Sequence, residues 1–280
     1  MEKKRNPKVS VCCVCYNHEK FLIETLNGIF SQKTNFDYEV IIYDDASTDD
    51  SIQVIEDFKK CNNFEINTLY SNVNNYSQGL RPFSQIFPLV KGRFIALCEG
   101  DDYWIDENKL QKQFDELTLR EDIDVCFHPA LTLNSSGLSN LSYGYHGDEL
   151  KVIDVSDVIR VSGGFMPMAS MFIRTKKIVE IMEKEPHFCN FLLRHSAIQI
   201  LCSDKHGALY LPMFSSVYRS MHDGSWSAMQ GQSIKVKIKS FIEFFKRNKE
   251  LNRITNYRYS TYFKKVFIRR LIGLAKNIIN

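Results

Sequence analysis

Apolar positions in the first half of the chain fall into short continuous runs that alternate with stretches of helical spacing. "KVSVCCVCY" (8–16) has the length and composition of a buried strand. "HEKFLIETLNGIFSQ" (18–32) then places Phe21, Leu22, Thr25, Leu26, Ile29 and Phe30 at helical spacing. "YEVIIYDD" (38–45) is a second strand, and it ends in acid. "STDDSIQVIEDFKK" (47–60) opens with Ser, Thr and Asp capping chemistry and continues as an amphipathic helix. "FEINTLYS" (64–71) predicts a third strand, followed by a polar loop and a short helix near 82–90. "RFIALCEG" (93–100) is a fourth strand, and "IDENKLQKQFDELTL" (105–119) a helix with Asp and Glu in its first turn, where they suit the helix dipole. "IDVCFHP" (123–129) is another strand.

Farther along, the pattern weakens. Residues 130–168, rich in Ser, Gly, Asn and Tyr, predict a loop. "MASMFIR" (168–174) predicts a strand, 175–185 and 187–203 predict helices, and "ALYLPMFSSVYRS" (208–220) a strand pair. Alternating strands and helices argue for an α/β fold with a mostly parallel central sheet. Ligands of such sheets sit beyond the carboxyl ends of the strands. Three strands end there in polar residues: Tyr16-Asn17, Asp44-Asp45 and Asp101-Asp102.

Charge divides the 280 residues unevenly. From Gly231 to Asn280 there are 13 Lys/Arg and 2 Asp/Glu, while the first 230 residues carry 23 basic and 31 acidic side chains. An acidic body over 1–230 and a basic helical tail over 231–280 are the expected units. The charged first residues do not resemble a secretory signal, and no apolar run approaches the roughly 18 residues of a spanning helix. Most of the eight cysteines lie in apolar runs, which fits core packing in a reducing cytosol. The Cys12-Cys13-x-Cys15 cluster could ligate a metal, but neighbours in a strand face opposite sides, which favours packing.

The strand ends carry the chemistry. A carboxylate pair such as Asp101-Asp102 suits Mg²⁺ or Mn²⁺, which bind one or two carboxylates and complete their shell with substrate phosphates and water. Capping of the next turn by Asp101, with Asp102 solvated, is the structural alternative. Asp45 could accept a hydrogen bond from a nucleobase or ribose, or one of Asp44, Ser47 and Asp49 could cap the helix that follows. A phosphatase of the aspartyl-nucleophile type would need Asp-x-Asp-x-Thr, and the chain has Asp44-Asp45-Ala46-Ser47-Thr48. A dinucleotide site would need a glycine-rich turn after the first strand, where the chain has "CYNHEKF".

Taken in order, "VSVCCVCYNHEKFLIETLNGIFSQ", "YEVIIYDDASTDDS", "GRFIALCEGDDYW" and "SSVYRSMHDGSWS" resemble family 2 glycosyltransferases of the GT-A fold, notably those of bacterial capsule and lipopolysaccharide synthesis, over residues 7 to 227. The resemblance implies a nucleotide-diphospho-sugar donor, with UDP the usual nucleotide, a divalent metal (Mn²⁺ or Mg²⁺) and an inverting transfer. It places Val14 and Tyr16 around the base and Asp45 against it. The family's D-x-D metal motif falls on Glu99-Gly100-Asp101, followed by Asp102, with Glu99 replacing the first Asp and able to reach a ribose hydroxyl or a water bound next to the metal. Arg219 and His222 match positions near the diphosphate or metal, and His222 could equally be an exposed loop histidine. Trp226 could wall the donor site or seal the core.

Inverting transfer needs a general base, and relatives place an Asp for it at a helix start. The matching position here is Ser196, preceded by His195, with no Asp or Glu between Glu185 and Asp204. His195 is the favoured base on its ordinary pKa of about 6.5. Asp148 or Asp204 could fold in instead, or the chain could be a donor-binding scaffold without a working base. The basic tail mixes Lys/Arg with Phe, Ile, Tyr and Leu, which suits an anionic membrane surface and a lipid-linked or glycan acceptor. A helical hairpin packed on the body is the alternative, and the acidic body argues against nucleic acid. A peripheral location on the cytoplasmic face of the membrane follows as an expectation.

Overall fold

The computed structural model describes residues 6–62, 64–161, 163–185, 194–220 and 234–279. The first strands are β1 (Val9–Cys15), β2 (Tyr38–Asp44), β3 (Asn67–Tyr70) and β4 (Phe94–Glu99). They alternate with helices α1 (Leu22–Phe30), α2 (Ser51–Asn62) and α3 (Phe83–Ile86). After β4 come β5 (Tyr103–Trp104), α4 (Lys109–Thr118), β6 (Val125–Phe127), β7 (Ala130–Asn134), β8 (Gly137–Tyr143), β9 (Lys151–Ile153) and α5 (Val155–Val161). The remainder is β10 (Phe172–Arg174), α6 (Thr175–Lys184), α7 (His195–Cys202), β11 (Ala208–Tyr210), β12 (Ser216–Arg219), α8 (Ile234–Ile254) and α9 (Ser260–Ile279).

Eight strands form one sheet in the order β3-β2-β1-β4-β10-β6-β11-β9. β10 runs antiparallel to both its neighbours, and β9 is antiparallel to β11. The other strands share one direction, so the sheet is mostly parallel, as the alternation of strand and helix predicted. Side chains alternate across it. Cys12, Ile41, Ile95 and Leu97 face one core layer; Val11, Cys13, Cys15, Ile42 and Phe94 face the other. This alternation disperses the cysteine cluster. Burial raises the Cys12 and Cys13 thiols well above their ordinary range and leaves them inert packing groups.

A second sheet, β5-β12-β7-β8, sits at the carboxyl end of β4. It overturns two expectations. Residues 130–168 are not a loop: they hold the β7–β8 hairpin, β9 and α5. The hairpin was hidden because most of its residues are only partly buried, so its alternation is weak in apolar content. Gly137 takes the left-handed φ of +105° that its turn requires. The expected strand pair in 208–220 is two strands in different sheets: β11 pairs with β6 and β9, β12 with β5 and β7. The helix expected over 105–119 starts at Lys109, so Asp106 and Glu107 precede it and no acid lies in its first turn. The helix expected over 187–203 is seen as α7, and 186–193 lie outside the described residues.

The basic tail folds back. α8 and α9 pack against each other, and Phe244, Leu251, Phe263 and Val266 join the core layer that also holds Val158, Ile159 and Leu201. Arg258 pairs with Asp204 at 2.6 Å and Arg253 with Glu185 at 2.8 Å, fixing the hairpin turn to the body.

Candidate active site at the acidic strand ends

Pairing register brings the strand ends together. Val14 lies beside Glu99 and Cys15 beside Asp44. Backbone bonds then tie the loops that leave the sheet: Gly100 N donates to Val14 O (2.8 Å), Asp45 N to Cys15 O (2.9 Å) and Ser71 N to Asp44 O (2.9 Å). Thr25 on α1 clamps the acidic loop from behind, its hydroxyl reaching Gly100 O at 3.0 Å and Asp102 O at 2.7 Å. A Cβ at Gly100 would stand 2.8 Å from His18 Nδ1, so a side chain there would have to displace His18.

The second sheet delivers the counter-charge. Pairing of Ser216 with Trp104 carries β12 along the loop, so that Arg219 N donates to Asp102 Oδ1 at 3.0 Å and Arg219 Nη1 to Asp101 O at 2.6 Å. The guanidinium also binds Glu24 and lies 4.5 Å from the Tyr103 ring centroid and 4.9 Å from that of Phe21. Arg219 is thus locked beside the carboxylates at 6% exposure.

Asp102 is the group this arrangement leaves incomplete. Its side chain is buried, Oδ1 has the Arg219 amide, and Oδ2 has no hydrogen-bond partner. Burial, with Asp101 and Glu99 nearby, pushes its carboxyl well above the usual carboxylate range. A buried oxygen without a partner beside two more carboxylates fits a hard divalent cation, whose charge would offset the cost of burying the carboxylate. Among the described residues no group of three or more His, Cys, Asp or Glu side chains forms a metal cage by itself. Mg²⁺-type sites need none, since substrate phosphates supply ligands.

Asp45 is engaged on both oxygens. Tyr43 OH and Asn75 N donate to Oδ1, and Tyr76 N to Oδ2, at 2.8–2.9 Å. It anchors the loop after β3 to the end of β2. Asp44 likewise accepts from Ser47 N, and Asp49 from Ser51 N and Glu19 N. Val14 is partly buried and Tyr16 is exposed at the end of β1. His195 stands at the start of α7, with Nε2 3.3 Å from Glu99 Oε1. Burial pulls its pKa down, but the Glu99 carboxylate, helped by Asp101, overcomes this and raises it overall. Ser196 is buried, with its Cβ against Gly163. Asp204 is tied to Arg258, and Asp148 accepts from Tyr145 OH at 2.7 Å, so each of these two carboxylates has a local partner. His222 and Trp226 lie outside the described residues.

Sequence reasoning missed His18 and Glu24. His18 Nε2 lies 3.9 Å from Asp101 Oδ2, and its buried Nδ1 has no hydrogen-bond partner. Its position directly after the β1 end was the available signal. Glu24 carried none, because its meeting with Arg219 depends on how β12 returns.

Known proteins resemble this chain in sequence and in fold. The model of the family described as glycosyl transferase family 2 matches residues 10–197. The uncharacterized protein Rv1520 of Mycobacterium tuberculosis is 34% identical over 137 residues, 48% of this chain and 38% of its own length. The poly(ribitol-phosphate) β-N-acetylglucosaminyltransferase TarS of Staphylococcus aureus is 32% identical over 99 residues, 34% of this chain and 16% of its own. The chain therefore spans well under half the length of these relatives. The crystal structure of TarS 1–349 in complex with UDP-GlcNAc superposes with a TM-score of 0.70 at 16% identity, covering 95% of this chain and 73% of that one. The mannosyltransferase PcManGT from Pyrobaculum calidifontis, in complex with GDP-Man and Mn²⁺, has a TM-score of 0.57 at 12% identity, covering 98% and 74%. These likenesses establish the GT-A fold. With the family model covering most of the chain, from β1 into the start of α7, this protein belongs to glycosyl transferase family 2.

Proposed function

We propose that this chain transfers a sugar from a nucleotide-diphospho-sugar, a UDP-sugar in the first instance, to a hydroxyl of a glycan or lipid-linked acceptor with inversion. The observation that carries this reading is the buried, partnerless Asp102 Oδ2 at the meeting point of β1, β4 and β12. Asp101 and Asp102 would hold Mn²⁺ or Mg²⁺, which supplies charge neutralisation for the departing diphosphate. Arg219 keeps the Asp102 carboxylate aimed through its backbone amide and adds a fixed positive charge. Val14, Tyr16 and the loop pinned by Asp45 frame the nucleotide side.

His195 takes the acceptor proton. Glu99 holds its Nε2–H, which leaves Nδ1 with the free lone pair, the division of labour by which a carboxylate orients a catalytic imidazole. The acceptor oxygen bonds to the anomeric carbon as the bond to the diphosphate oxygen breaks, and the proton passes to Nδ1. Glu99 then stabilises the imidazolium. The absence of any Asp or Glu between Glu185 and Asp204 supports a second reading, a donor-binding scaffold without turnover.

Thermal shift with UDP, GDP, dTDP and CMP, each with Mn²⁺ and with chelator, tests the donor site. Nucleotide at 100 times its Kd stabilises the fold by about 2.7 kcal/mol. Stabilisation by UDP that chelator abolishes is the expected result; none for any nucleotide sinks the proposal. Hydrolysis or transfer of the sugar separates enzyme from scaffold.

The tail suits a membrane surface. Ile234, Ile238 and Phe245 on α8 and Leu271 and Ile272 on α9 are exposed among many lysines and arginines. No helix among the described residues is long and apolar enough to cross a membrane.

A further inference from the structure

A group of arginines outside the carboxylate cluster has buried donors with no hydrogen-bond partner among the described residues. Arg81 follows the loop pinned by Asp45 and lies 4.8 Å from the ring centroid of Tyr76, whose amide is on Asp45. Arg194 immediately precedes His195. Arg247 comes from α8 and Arg270 from α9, their guanidinium carbons 5.8 and 4.3 Å from the centroid of the Phe244 ring. The Nε atoms of Arg81, Arg194 and Arg247, together with Asn248 Nδ2, are buried with no hydrogen-bond partner. Arg81 is 8% exposed and Asn248 6%.

The missing partner has a definite chemistry. All four orphaned atoms are donors, so it must offer several acceptor oxygens. Among the described residues the carboxylate seen against this group is Glu243, 3.3 Å from Arg194 Nη2, and its charge is also felt by Arg81 and Arg247. The charges feel one another: burial and Arg194 pull Arg81 down, and burial, Arg194 and Arg270 push Arg247 down to about 10. Water would satisfy the hydrogen bonds but not the charge. A phosphate does both, and arginine's planar fork matches its oxygens.

We propose that Arg81, Arg194 and Arg247, with Arg270 at the rim, bind a phosphate group of the acceptor beside the transfer site. The proposal rests on the glycosyltransferase reading above. On the reading above, the donor diphosphate belongs with Asp101, Asp102 and Arg219, whereas Arg247 and Arg270 come from α8 and α9. The arginine group instead flanks His195, the residue that meets the acceptor hydroxyl. An acceptor with phosphate near the accepting sugar, whether a polymer phosphodiester or the headgroup of a lipid carrier, has the required chemistry.

Inorganic phosphate and glycerol 3-phosphate, titrated calorimetrically into the full chain saturated with UDP and Mg²⁺, test it. Arg247→Gln with Arg270→Gln is expected to weaken phosphate binding at least tenfold and leave UDP affinity within twofold. Arg247→Lys, which keeps the charge and loses the fork, falls between. Unchanged phosphate affinity in the double variant overturns the proposal, as does a UDP affinity that falls in parallel. Failure of the wild-type chain to bind UDP would instead sink the donor reading, and phosphate titrated without nucleotide still reports on the arginines. Cosedimentation with phosphatidylglycerol vesicles assigns the source. Loss in the double variant and competition by phosphate point to a lipid phosphate; unchanged cosedimentation with lost phosphate binding points to a soluble phosphorylated glycan.

Discussion

The acidic strand ends and the arginine group are built on opposite plans. Asp44 and Asp45 sit at the end of one strand; Asp44 is satisfied by Ser47 just after it, and Asp45 by Tyr43 and by the amides of Asn75 and Tyr76 in the loop after β3. The arginines come from four separate places, and the Nε atoms of three of them have no hydrogen-bond partner among the described residues. Polar side chains at a cleft are therefore no guide to chemistry by themselves. Three strand-end acids of similar appearance divide into two that hold loops and one, Asp102, that keeps a buried oxygen without a partner. It is the unpartnered atoms in both regions that motivate the proposed ligands, a cation at Asp102 and a phosphate at the arginines.

That contrast can be broken in graded ways. The largest effect is expected from His195→Ala, which should lower turnover by about 10²–10⁴. Its pKa is raised by Glu99, so neutral imidazole is lost as pH falls through a value above the ordinary 6.5, and kcat/KM should drop on that acid limb. Glu99→Gln removes the cause and should move the limb to lower pH; a limb that stays put would assign the base elsewhere. Asp102→Asn comes next, with turnover down about 10²–10³. The same change should raise Tm in the absence of metal, since the amide carries no penalty for a buried charge. The folded carboxyl titrates above its unfolded value, so the wild-type deficit exists above the unfolded pKa and disappears as pH falls below it. A destabilised variant would contradict the idea of a vacant buried oxygen.

Asp45→Asn is the opposite case. It places an amide donor against backbone donors and should cost about 1–3 kcal/mol in a urea melt at pH 7. If stability is untouched, Asp45 is not the anchor its hydrogen bonds describe. The smallest effect belongs to the tail: each lysine of α8 or α9 replaced by Gln should remove at most about 1 kcal/mol of affinity for anionic vesicles. Vesicle binding indifferent to these changes would confine the role of the hairpin to packing and to the arginine group.

How much was legible followed from how locally each feature is encoded. The β1, β2 and β4 runs, with their acids, are continuous in sequence and buried on both faces, so strand, end and charge could be read together. The β7–β8 hairpin could not, because its half-exposed residues blur the period of two. Nor could the separate sheet memberships of β11 and β12, since both are short apolar runs and only their pairing tells them apart. His195 was found by position along the chain, but its partner Glu99 lies almost a hundred residues away.

The sequence by itself determined the α/β alternation, the acidic strand ends and the family. Apolar periodicity and strand termination are properties of neighbouring residues, and water imposes them wherever the chain folds. Only the tertiary structure decided that Arg219 would lock Asp102 with one oxygen bare, that Glu99 would raise His195, and that Arg81, Arg194 and Arg247 would crowd together. Coulomb interaction and desolvation depend on distance and burial, and residues more than fifty positions apart acquire both only when sheets pair and helices return.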